Sequence, residues 1–127
     1  MKKIRKLSIL KGVYSIVKYQ KTDYENIVLE ENVFSVIYED NYVSVIYRGL
    51  PLEKKVPFEI EKDYNIIKIN DVIEFNLSGV LNQFLTPLAL SNISVLVISS
   101  FDTDYILFNK SNLNKAKTVL SKAGFVF

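Results

Sequence analysis

The sequence predicts an α+β fold whose second half is ferredoxin-like (βαββαβ), and three observations carry that expectation. The first half is dense in β-branched and aromatic residues separated by turn signals. The second half holds two apolar stripes at helical spacing, Val80, Leu81, Phe84, Leu85 and Leu88, then Leu113, Ala116, Val119, Leu120 and Ala123. Short runs of strand character surround those stripes. From Tyr64 onward the order is strand, helix, strand, strand, helix, strand, which places two helices on one face of a four-stranded antiparallel sheet.

In the first half, Ile4 to Leu10 and Gly12 to Tyr19 read as strands on either side of Lys11-Gly12. Phe34 to Tyr38 and Tyr42 to Tyr47 flank the polar connection Glu39-Asp-Asn41, the pattern of an antiparallel hairpin. Gln20 to Asn32 is polar and acidic and fits either a loop or a short helix. Lys54 to Lys62, around Pro57, carries charges at almost every second position and reads as a solvated connection. The expected division is therefore a β-rich subdomain over 1–62 and a ferredoxin-like one over 63–127. Lys54-Lys55 lacks the glycine-rich turn or helix start that a phosphate site needs.

In the second half, Tyr64 to Ile69 and Asp71 to Phe75 read as a strand or bulged strand pair leading into Asn76-Leu-Ser-Gly79. Ser78 is placed to cap a helix, and Pro87 is expected to kink or end it because it lacks an amide donor. Ser91-Asn92 is the natural exit. Ile93 to Ser99 is apolar in both parities, as in a central strand covered on both faces, which would leave the Ser94 hydroxyl with little water. Tyr105 to Phe108 returns, Ser111 is the expected cap of the second helix, Gly124 supplies a left-handed stop, and Phe125 to Phe127 adds an edge strand.

Composition excludes several function classes. The 127 residues suffice for a buried core without staples. Cysteine is absent, which removes disulfides, thiol catalysis and cysteine zinc sites and is compatible with a reducing cytoplasm. Histidine is absent too, and with it the commonest general base near neutral pH. A net charge of +2 with mixed signs gives no field for nucleic acid, and the motif of an RNA-binding sheet is missing. No apolar run approaches a membrane span, and Leu7 to Leu10, stopped by Lys11, is too short for an export signal.

Two loops collect the remaining polar groups, Asn76-Leu-Ser-Gly79 and Ser100-Phe-Asp-Thr-Asp104. Asp102 and Asp104 suit an ammonium group, and equally suit turn amides that need acceptors. They lack the calcium-loop pattern and any third spaced acid, and nothing marks an opposed acid and base, so neither a metal site nor a catalytic pair is expected. Ser78-Gly79 also reads as a plain helix cap.

Phe75-Asn-Leu-Ser-Gly-Val-Leu81, the stretch Ile93-Ser-Val-Leu-Val-Ile-Ser-Ser-Phe-Asp-Thr-Asp-Tyr-Ile-Leu107 and the helix end Lys122-Ala-Gly124 together resemble the ACT-domain proteins. The likeness is to the compact bacterial branch related to the animal CASTOR amino-acid sensors. It covers the second half well; in the first half Leu10-Lys-Gly-Val-Tyr-Ser-Ile16 is similar to the family's opening strands. The resemblance implies an ACT domain over 63–127 preceded by an ACT-like subdomain over 1–62. It also implies non-catalytic binding of a free amino acid between two ACT units, without a cofactor or metal, in a cytoplasmic homodimer. By the same resemblance, one unit's Asn76, Leu77, Ser78, Gly79, Val80, Ser94 and Val95 hold the ligand's polar ends. The facing unit contributes Ser100, Phe101, Asp102, Thr103 and Asp104. Helix-start amides independently suit a carboxylate. Leu77 and Val80 favour an apolar or aromatic ligand, whereas Asp104 suits a basic one. The chain departs from the family pattern at Ser100, where threonine is frequent, and at Phe108. A structural assembly domain without a metabolite is the alternative expectation.

Overall fold

The computed structural model describes residues 5–25, 30–52, 56–69 and 80–127. Its elements are β1 (Arg5–Ile9), β2 (Tyr14–Gln20), α1 (Lys21–Tyr24), β3 (Val33–Tyr38), β4 (Tyr42–Arg48), β5 (Glu59–Ile69), α2 (Val80–Leu90), β6 (Leu96–Ser99), β7 (Asp104–Asn109), a 3-10 turn (Lys110–Asn112), α3 (Leu113–Lys122) and β8 (Phe125–Val126). They form two compact units, Gly12–Tyr64 and Met1–Lys11 with Asn65–Phe127. The sequence division put the first strand with the residues that follow it. In the structure Met1–Lys11 groups with the C-terminal residues, because β1 pairs with the end of β5 through Leu7↔Ile69 and Ile9↔Ile67.

In the Gly12–Tyr64 unit the strand order is β3-β4-β2-β5, with every neighbour antiparallel. The predicted hairpin is present: β3 and β4 pair through Val36↔Val45 and Tyr38↔Val43, and the Glu39 amide donates to the Tyr42 carbonyl at 2.9 Å. Alternation sends Val17, Tyr19, Val43, Val45 and Tyr47 into one core, capped by Tyr24 of α1. Burying each such side chain is worth about 1.5–3 kcal/mol. The segment left open between loop and helix thus begins with one helical turn.

The reading of Lys54 to Lys62 as a solvated connection is corrected at its second half, since β5 already starts at Glu59. Lys18↔Glu59 and Val17↔Ile60 pair across to β2. The alternating charges mark one face of a strand whose other face carries Ile60 toward the core. The register shifts between Tyr14↔Tyr64 and Ile16↔Glu61, where Asp63 sits at φ 72°, a bulge with its extra residue in the left-handed region.

In the other unit, α2 and α3 pack Phe84, Leu88, Ala116 and Leu120 onto Leu7, Ile67, Ile69, Ile106, Phe108 and Phe125. The Phe84 and Phe125 rings stack at 4.3 Å with planes 26° apart. β7 pairs with β5 and β6. The expected four antiparallel strands are corrected to five described ones: β1 lies between β5 and β8, antiparallel to the first and parallel to the second. A strand from the chain's beginning is invisible to a pattern read only from Tyr64 onward.

Three local expectations also change. Pro87 does not end α2, which runs to Leu90; the carbonyl that loses its donor belongs to Gln83, an exposed residue where water can substitute. Asn109, not Ser111, caps the C-terminal helical segment, its side chain accepting from the Ser111 amide at 2.9 Å. Ala123 is exposed, because α3 stops at Lys122 and Gly124 turns the chain away at φ 100°. The run Asp71 to Phe75 lies outside the described residues. No helix among the described residues is long and apolar enough to cross a membrane.

Candidate functional site

The β6–β7 hairpin is where the predicted polar groups gather. Its ladder ends at Ser99↔Asp104, and the Ser100 amide then donates to the Thr103 carbonyl at 2.8 Å. Phe101 and Asp102 are left at the tip. The Ser100 hydroxyl donates to the same Thr103 carbonyl at 3.2 Å, the Thr103 hydroxyl to the Asp102 carboxylate at 3.1 Å, and the Ser99 hydroxyl to Asp104 Oδ1. The hydroxyl donors therefore stabilise the turn itself. The two carboxylates keep acceptor capacity to spare, since each oxygen carries two lone pairs.

Phe101 projects from this turn with 89% of its surface exposed. An aromatic side chain so exposed, beside two carboxylates, forms an apolar wall with an anionic rim. That composition suits a ligand with an ammonium group and an apolar body.

The strand feeding the hairpin is not covered on both faces, which corrects the expectation for Ile93 to Ser99. β6 is only Leu96–Ser99 and, among the described residues, pairs with β7 alone. Leu96 and Val97 are 46% and 37% exposed. Apolarity in both parities here belongs to a strand that leaves side chains of both faces partly exposed. Ser94 is accordingly exposed rather than shielded from water, while Val95 packs on the core of its unit.

The helix exit explains where Ser94 emerges. The Asn92 amide donates to Ala89 at 3.0 Å and the Ile93 amide to Leu88 at 3.0 Å, with Asn92 at φ 58°. This is the Schellman arrangement, and Ile93, 3% exposed, supplies its hydrophobic contact. α2 begins at Val80, so Asn76, Leu77, Ser78 and Gly79 immediately precede it. Those four lie outside the described residues.

Sequence reasoning missed two cavities in the Gly12–Tyr64 unit. One, of about 220 Å³, is lined by Tyr14, Glu31, Asn32, Val33, Phe34 and Arg48. The other, of about 240 Å³, is more apolar and includes Val13, Gly49 and Leu50. The signal for the first was Arg48 closing an apolar strand just before Gly49-Leu-Pro51, a cation at a strand end.

A sequence profile for the ACT domain matches residues 59–122, half of the chain. Fold likeness extends further. An X-ray structure of a protein from Agrobacterium tumefaciens superposes with a TM-score of 0.78 at 22% identity, covering 98% of this chain and 92% of that one. Aspartate kinase from Clostridium acetobutylicum, described as an allosteric enzyme, gives 0.70 at 13% identity over 93% of this chain. The match occupies 34% of that kinase. The ligand-free regulatory subunit of aspartate kinase from Thermus thermophilus gives 0.63 at 10% identity, covering 92% of this chain and 96% of that one. At these identities the likeness is one of fold. No curated protein matches in sequence.

Proposed function

Because this chain belongs to the ACT-domain family, we propose that it is a non-catalytic regulatory module that senses a free amino acid in the cytoplasm. In this reading the C-terminal part is a ferredoxin-like ACT domain preceded by a mostly β, ACT-like subdomain, and the kinship is with compact sensors of the CASTOR kind. The likeness to an aspartate kinase regulatory subunit supports a regulatory role.

The observation that carries the proposal is the hairpin tip, where exposed Phe101 stands beside Asp102 and Asp104. In the proposed site these groups meet the amino group and side chain of the ligand. The facing copy receives the α-carboxylate at Asn76 to Val80, with Ser94 and Val95 beside it. Helix-start amides and the local dipole favour a carboxylate there. The partly apolar edge of β6, which among the described residues pairs with β7 alone, supports self-association, and a twofold dimer gives two equivalent sites. No cofactor or metal enters this reading.

Turn hydroxyls satisfied by their own neighbours favour the second reading, an assembly domain whose paired edges bind no metabolite. A thermal-shift panel of the twenty amino acids separates the two. A ligand that binds only the folded form at 100 times its Kd adds about 2.7 kcal/mol of apparent stability. One or a few amino acids raising Tm supports sensing; a flat panel at millimolar concentration abandons it for assembly.

A further inference from the structure

Three strand ends converge in the Gly12–Tyr64 unit. Tyr14 opens β2 opposite Arg48, which closes β4, and Val33 opens β3 opposite Tyr47. With Glu31, Asn32 and Phe34, residues at these ends line the cavity of about 220 Å³.

Each wall brings a different chemistry. Arg48 is exposed, and among the described residues no carboxylate pairs with it. Its stem lies against Gly12, where an added Cβ would stand 3.2 Å from Cγ and 3.3 Å from Cδ. Gly12, at φ 100°, thus leaves room for the guanidinium to be carried over this end of the sheet. Burial raises the Tyr14 phenol above its ordinary pKa while Arg48 pulls it the other way, as expected of a guanidinium close by. The Tyr14 and Phe34 rings meet edge to face at 5.7 Å and form an aromatic wall.

Asn32 is fixed in orientation. Its Nδ2 donates to the Arg48 carbonyl at 3.0 Å and the Leu50 carbonyl at 2.9 Å, and its backbone carbonyl accepts from the Arg48 backbone amide at 2.8 Å. Both side-chain donors are spent, so Oδ1 can only accept, and it is buried with no partner among the described residues. An acceptor withdrawn from water and left unpaired is destabilising. The flanking Glu31 and Arg48 side chains are both exposed and line the cavity beside it. Glu31 adds a carboxylate on the same rim.

We propose that this cavity is a second ligand site, made of different residues from the hairpin tip, for a small carboxylate that also carries an N–H donor and an apolar or aromatic body. Arg48 forks onto the carboxylate, Asn32 Oδ1 and Glu31 take the N–H groups, and Tyr14 and Phe34 pack against the body. This site stands whether or not the hairpin binds a metabolite.

The test is an NMR titration of the full chain, following the Tyr14 and Phe34 ring resonances. The probes are free phenylalanine and free leucine, with phenylpyruvate lacking the N–H donor and phenethylamine lacking the carboxylate. Phenylalanine or leucine is expected to shift both rings, with phenylpyruvate and phenethylamine each weaker by at least about fivefold. Arg48→Gln weakens binding on the order of tenfold, the loss of a charge-assisted bond, with Arg48→Lys in between. Asp104→Asn leaves it unchanged. The proposal is overturned if neither amino acid moves these rings, if either control binds as well as the amino acids, or if Arg48→Gln binds as the native chain does.

Discussion

The phenol oxygens of Tyr19 and Tyr47 lie 2.8 Å apart in a hydrogen bond, with each side chain only 1% exposed. Tyr19 lies opposite Val43 and Tyr47 opposite Ser15 in the β2–β4 ladder, so the two phenols reach toward each other along the strands in the core of the Gly12–Tyr64 unit. A bond between two neutral groups in an apolar setting adds little net stability when both are present, yet stranding one partner incurs its full desolvation cost. Tyr19→Phe leaves the Tyr47 hydroxyl without this partner and is expected to lose about 1–3 kcal/mol. The double variant Tyr19→Phe, Tyr47→Phe loses less than that single one. Urea denaturation of the two variants checks the ordering, which a purely steric role for the rings would not produce.

Alkaline pH should destabilise the fold through the same cluster. Burial, reinforced by the Tyr19 phenol, pushes the Tyr47 pKa far above its ordinary value. Burial, with Tyr38 and Tyr19 beside it, pushes Tyr24 up to about 12. Both groups are neutral acids in the native state, and in the unfolded chain they ionise near pH 10. Above that pH the unfolded state gives up protons that the native state retains, so stability falls with rising pH. Their contribution is whole below about pH 10 and is lost as pH rises toward 12. Urea midpoints measured along this range should fall less steeply in Tyr47→Phe than in the native chain.

How much of this was legible in the sequence depended on how local the cause was. The β3–β4 hairpin and the Gly124 stop were readable because alternation and a missing Cβ act within a few residues. The membership of β1 was not, since its pairing with Ile67 and Ile69 spans about half of the chain. The exposure of Ser94 and Leu96 was misread for a related reason. An apolar run fixes how much a strand wants covering, while coverage itself depends on which neighbours arrive, and β6 has β7 alone among the described residues. Of the candidate site, the hairpin acids were legible as acceptors, but the closure of the Ser100 and Thr103 hydroxyls onto the turn required coordinates. The Arg48 cavity was missed because its walls come from three separate strand ends.

Gly124 offers a clean measure of backbone strain. It ends α3 at φ 100°, and nothing stands within 4 Å of the position a Cβ would take. Substitution by alanine therefore meets no steric neighbour and pays only for the left-handed backbone, about 1–2 kcal/mol. Gly12→Ala, at the same φ, would in addition crowd Arg48, so it should cost more. Thermal or urea unfolding of the two variants tests both the magnitude and the order.

Asp104 separates folding from recognition. Its Oδ1 accepts from the Ser99 hydroxyl at the last rung of the hairpin, and asparagine retains an acceptor oxygen there. Asp104→Asn should therefore change unfolding stability by no more than about 0.5 kcal/mol, as for surface replacements that strand no partner. A ligand ammonium, however, would lose a bond to a full negative charge, worth about 1.5–3 kcal/mol, or a weakening on the order of ten- to a hundredfold. The amino acid that raises Tm in the native chain should then raise it less in the variant at equal concentration. An unchanged response would place the ammonium elsewhere, and a collapsed fold would show that the carboxylate serves the hairpin rather than a ligand.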